Sequence, residues 1–130
     1  MAKIALMPLV NGLPLRWTEA KTASYQVTKE DTGTIFHTTG ATAAVTFTLP
    51  PITDGPFYFV FINGADVDMT VASKVADTAV TYNDLAADSV AFSTSSEKIG
   101  GAVEVICDGT TLFVLPRISS SYQNVTVATA

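Results

Sequence analysis

The sequence predicts an all-β domain: a compact antiparallel β-sandwich or barrel, jelly-roll or tulip-like, of about nine or ten short strands. Three observations carry that expectation. Apolar residues recur with a period of two from Ser24 onward, turn signals break the pattern at short intervals, and no stretch holds a helical period over a helix's length. The chain has 130 residues, about one domain, of which 48% are hydrophobic and 15% charged. Such a balance excludes intrinsic disorder, which needs low hydropathy and high charge. So few charges imply a surface covered by neutral polar groups or partly buried against partners. Thr (19 residues) and Ala (17) supply the first device.

Residues 1–23 stand apart as an N-terminal contact arm. Its apolar residues Ile4, Leu6, Leu9, Leu13, Leu15 and Trp17, with Arg16, are interrupted by Pro8, Pro14 and the turn pair Asn11-Gly12. Proline denies a helix its interior and a ladder its donor, so the segment reads as extended and irregular. An apolar terminus of this kind is expected to lie against its own domain or a neighbouring subunit. Pro8 and the lack of a small-x-small cleavage site mark it as part of the mature protein rather than a signal peptide.

A β domain is expected over 24–118. Tyr25 and Val27 alternate with polar neighbours, and Asp31-Thr32-Gly33 turns the chain into a strand at 34–38. In the next run Val45, Phe47 and Leu49 share one face, Thr46 and Thr48 the other, until Pro50-Pro51 ends it. Residues 57–62 are apolar on both faces, as in a central strand covered on both sides, and Asn63-Gly64 closes them. Val67, Met69 and Val71 alternate with Asp68 and Thr70, a short strand fits 78–82, and 83–88 fits a single helical turn. Residues 93–96 and Gly100-Gly101 read as loop. Residues 103–107 and 112–115 flank Asp108-Gly109, the favoured signal for a hairpin. A two-residue turn there pairs Val105 with Leu112 and Val103 with Val114. Residues 119–130 read as a C-terminal tail.

Catalytic equipment is sparse. His37 is the single histidine and sits within a strand; Cys107, the single cysteine, precedes a hairpin turn in an apolar strand and reads as a buried structural thiol. One cysteine excludes an internal disulfide and a cysteine-based zinc site. Asp66 and Asp68 would share one face of a strand, but their spacing fits no calcium loop and no aromatic platform stands beside them. With Asp77, Asp84 and Asp88 they read as a solvated acidic rim. Asn124-Val125-Thr126 matches a glycosylation sequon, a triplet that arises readily in a Thr-rich chain. No catalytic residue, metal or cofactor is therefore expected, and the chain reads as non-enzymatic. The net charge of −5 and the lack of any Lys or Arg between Asp31 and Ser73 argue against nucleic-acid binding. No run reaches the ~20 apolar residues of a membrane span.

The stretch 24–36, with Tyr25-Gln26-Val27-Thr28 and Asp31-Thr32-Gly33, continues through Gly40-Ala41-Thr42 to Val45-Thr46-Phe47-Thr48-Leu49-Pro50. It resembles a structural module of tailed-bacteriophage virion proteins, and residues 103–115 are similar to that module's closing hairpin, which often carries Trp where this chain has Leu112 or Phe113. The resemblance covers about 24–116. The module occurs in capsid decoration proteins and in tail-fibre and tailspike segments. A chain of this length favours decoration, by analogy. The resemblance thus implies a structural virion protein: a capsid decoration (cement) protein on the outer surface of the head, partnered by the major capsid protein and bridging capsomers as a homotrimer. The other expectation is a receptor- or glycan-binding module of a tail fibre.

Overall fold

A computed structural model of the chain describes residues 18–74, 76–82, 84–117 and 125–128, and the backbone of 9–10 and 13–14. Near the N-terminus, β1 (Leu9–Val10) and β2 (Leu13–Pro14) pair antiparallel with each other. The body follows as β3 (Thr18–Ala20), β4 (Tyr25–Gln26), β5 (Ile35–His37), β6 (Val45–Thr48), β7 (Phe57–Ile62) and β8 (Met69–Ala72). After these come β9 (Ala79–Thr81), β10 (Asp84–Ala87), β11 (Ser89–Phe92), β12 (Ala102–Cys107), β13 (Leu112–Arg117) and β14 (Thr126–Ala128). Two single 3-10 turns, Lys29–Asp31 and Ile52–Asp54, are the helical elements among the described residues.

The body is an all-β sandwich. One sheet has seven strands in the order β10-β9-β13-β12-β7-β5-β3, the other five in the order β14-β11-β8-β6-β4. The strand directions depart from the antiparallel expectation, because both sheets are mixed. From β3 to β8 the chain crosses to the opposite sheet at every step, so each strand returns beside the one laid down two steps earlier and runs the same way. Hence β3, β5 and β7 are mutually parallel, as are β4, β6 and β8. Ten of the strands fall within 24–118.

The core follows the period of two. From the seven-stranded sheet Phe36, Phe57, Phe59, Phe61, Val103, Val105, Leu112 and Val114 point inward; Val45, Phe47, Met69, Val71, Val90 and Phe92 meet them from the other. Phe47 and Phe61 touch across the layers with ring centroids 4.8 Å apart, and Phe36 stacks on Phe61 at 5.5 Å. Aromatic pairs of this kind add about 0.5–1.5 kcal/mol each beyond their buried area. Gly101 lets the sheets close: a Cβ there would stand 2.5 Å from the Phe92 ring.

Several expectations are corrected. Residues 84–87 are the edge strand β10 rather than part of a helical turn, since pairing with β9 satisfies their backbone. Asp66 and Asp68 precede β8 rather than lying on it, and Asp68 accepts a 2.9 Å bond from Lys98 Nζ. The hairpin of β12 and β13 pairs Cys107 with Leu112, Val105 with Val114 and Val103 with Pro116, two residues from the expected register. Its cause is Asp108: Oδ1 accepts from the backbone N–H of Thr110 (2.8 Å) and Thr111 (2.7 Å), keeping both threonines in a four-residue loop. Gly109 supplies the left-handed conformation that loop needs, at φ +93°. Because the shift is an even number, the apolar set stays on the inner face. Two segments read as arm and tail also contribute to the body: β3 is the edge strand beside β5, and β14 pairs with β11. β11 itself, Ser89–Phe92, is a strand that no expectation covered.

Candidate functional site

The two outer faces of the sandwich differ in chemistry. On the five-stranded sheet, register aligns Thr46, Thr70, Ala91 and Thr126 in one row and Gln26, Thr48, Ala72, Ser89 and Ala128 in the next. This is the neutral coat of small residues that the composition implies.

The seven-stranded sheet presents a different surface. One row across it reads Val80, Phe113, Ile106, Tyr58; the second Leu115, Glu104, Val60, Ile35, Thr18; the third Arg117, Ala102, Ile62, His37, Ala20. Tyr58, Ile106 and Leu115 are 40%, 38% and 39% exposed, and Ile35, Val60, Ile62 and Phe113 are half-buried. Residues 57–62 are therefore not covered on both sides by the described chain: Phe57, Phe59 and Phe61 are in the core, and Tyr58, Val60 and Ile62 look outward. With strands about 4.8 Å apart and about 3.3 Å per residue, the face measures about 20 Å on a side. Within this outline of roughly 400 Å², Tyr58, Ile106 and Leu115 and the half-buried apolar residues between them form one contiguous patch, the kind of surface that often serves as an interaction site.

Glu104 is the one carboxylate within these rows. Oε2 accepts from the Tyr58 hydroxyl at 2.6 Å, and Oε1 accepts from Arg117 Nη2 at 2.9 Å. The Tyr58 bond first, then Arg117, holds the Glu104 carboxyl below its ordinary value, and the same bond raises the Tyr58 phenol. The charge is thereby tied down at both oxygens within the apolar surface. At the rim Tyr82, 52% exposed, donates to Pro116 O at 3.4 Å and extends the face past β13.

The residues singled out in the sequence are scattered. His37 lies on the outer face, its Nδ1 without a hydrogen-bond partner among the described residues, whereas Cys107 points into the core. They face opposite sides of one sheet and make no nucleophile–base pair. The Cys107 sulfur sits between Ile52 O, 3.7 Å, and Gly109 N–H, 3.4 Å; burial pushes its thiol up, away from thiolate chemistry. Asp77 Oδ2 accepts from Ile52 N–H at 3.0 Å, tying a loop. Among the described residues, no three His, Cys, Asp or Glu side chains converge as a metal site would need. Of the arm residues, Leu9 and Leu13 fall in the paired strands β1 and β2, while Ile4, Leu6, Leu15, Arg16 and Trp17 lie outside the described residues, as does Asn124. Sequence reasoning missed the outer face as a unit. Its signal was the double-sided apolar character of 57–62 and 112–115, which pairing with Ile106 brings together.

Comparison of the chain with protein-family models, curated proteins and solved structures gave no match. The fold and the face by themselves define the class: an all-β sandwich that carries a neutral, small-residue coat on one sheet and an open apolar contact face on the other.

Proposed function

We propose that this chain is a structural virion protein, a capsid decoration protein that binds the outer surface of a phage head and joins neighbouring capsomers. The observation that carries the reading is the open apolar face, on a sandwich whose opposite face is Thr, Ser and Ala. Exposed apolar area is costly to leave in water, at about 25 cal/mol per Å², and a protein that works by contact has a use for it. The resemblance of residues 24–116 to phage virion modules supports the virion surface as the place of contact. In this reading copies associate as a homotrimer, the assembled trimer contacts the major capsid protein, and its binding free energy adds to shell stability by linkage.

Labelling of intact particles of the encoding phage tests the proposal. An even coat over the head is expected. Label confined to the tail would instead support a receptor- or glycan-binding fibre module, and unlabelled particles would end the virion reading altogether.

A further inference from the structure

We propose that the outer face of the seven-stranded sheet is the seat for residues 1–17 of a second copy of this chain. The inference rests on the self-association part of the function proposed above and not on the capsid.

Chemistry, size and position point the same way. Residues 1–17 supply Ile4, Leu6, Leu9, Leu13, Leu15 and Trp17, the class of side chain that the face presents. They carry Lys3 and Arg16 and no acidic residue, whereas residues 18–130 carry five basic residues against twelve acidic. A basic apolar segment thus meets an acidic body. At roughly 400 Å² the face falls short of the roughly 800 Å² per partner of a stable body-to-body interface. It matches a ribbon better. The antiparallel pair of β1 and β2 is about 10 Å wide.

The self-association proposed above selects the second copy over the same chain. The segment joins the body at β3, the outermost strand at that end of the sheet. In the single chain Tyr58, Ile106 and Leu115 stay 40%, 38% and 39% exposed. An arm given by one copy to the next makes a head-to-tail contact, in which each copy gives one arm and receives one. Such a heterologous contact closes into a ring when the rotation allows, a trimer being a small closed case.

Trp17, the single tryptophan, reports directly on the arm. Its emission in the full-length protein is to be followed from about 10 nM to about 10 µM beside the sedimentation coefficient. Red-shifted emission at high dilution should move to the blue as the oligomer forms, both with one midpoint. Ile106→Asp and Leu115→Asp, on the face, should each raise that midpoint at least about tenfold. Thr70→Asp, on the opposite outer face, should leave it unchanged. Blue emission at every concentration in a monomer would place the arm on its own body and overturn the proposal. An oligomer that forms without any change in Trp17, or face variants with an unshifted midpoint, would do the same. Should either face variant lose its far-ultraviolet β signature, the dilution series of the unsubstituted chain and the other variant decide the matter. No particle enters the experiment, so its failure is separate from any failure to label heads.

Discussion

Asn63 shows how one residue can hold several loops. It is fully buried; Nδ2 donates to Val67 O (2.8 Å) and Lys98 O (3.0 Å), and Oδ1 accepts from Thr38 Oγ1 at 2.6 Å. Its backbone N–H donates to Gly101 O at 2.8 Å and its carbonyl accepts from Gly100. Asn63→Ala leaves the Val67 carbonyl and the Thr38 hydroxyl without this partner in the interior, and should cost about 2–4 kcal/mol in chemical denaturation. The sequence marked Asn63-Gly64 as a turn but not as a buried junction, because the partners come from segments as distant as Thr38 and Gly101. Tyr25 is a second case. Its hydroxyl donates to buried Asp31 at 2.9 Å, and Asp31 Oδ2 also accepts from the Thr28 N–H at 3.0 Å. Burial, and then the bond to Asp31, push the phenol from 10.0 to about 12. A folded pKa above the unfolded one favours the native state fully below pH 10, and that advantage is lost as pH rises through 12. Melting temperature should therefore fall between these values, and Tyr25→Phe should flatten part of the decline.

At the scale of the element, β7 tests the assignment of faces. Phe59 and Val60 are neighbours in sequence, yet Phe59 is completely buried against Phe36, Phe57 and Phe61 while Val60 looks outward beside Glu104. Phe59→Ala should cost about 3–5 kcal/mol by opening a core cavity. Val60→Ala in the monomer should cost under about 1 kcal/mol, because a half-exposed side chain leaves little void. Equal losses at both positions, measured by urea unfolding, would show that the second face is buried too. The inward set Val45, Phe47 and Leu49 was legible from alternation alone, and all three are completely buried. The hairpin register was not, since the two hydrogen bonds to Asp108 Oδ1 decide the loop length and leave the same faces apolar in either register.

At the scale of the whole molecule, the charge and hydropathy of the chain divide into a body and an arm. Among the described residues the buried core side chains belong to 27–114, with Tyr25, Val125 and Val127 packed against them. Removing residues 2–17 should leave a folded sandwich, with the melting temperature of the monomer changed by no more than about 4 °C. The truncated chain should lose self-association and attachment to particles. Loss of the cooperative transition in calorimetry would instead make the arm part of the core.

What the sequence by itself determined is the class, the sides and the endings: an all-β chain, which residues face inward, and where turns interrupt the strands. Each of these depends on neighbours one to four positions apart, through the pleat and the turn residues. Strand direction, sheet order and the contact face were decided only in three dimensions. A period of two reads the same for parallel and antiparallel partners, so alternation left the crossing of β3 to β8 between the sheets, and with it their mixed directions, unspecified. The apolar face likewise exists only once β13, β12, β7 and β5 lie side by side, because it takes two or three outward residues from each and no single strand contains it.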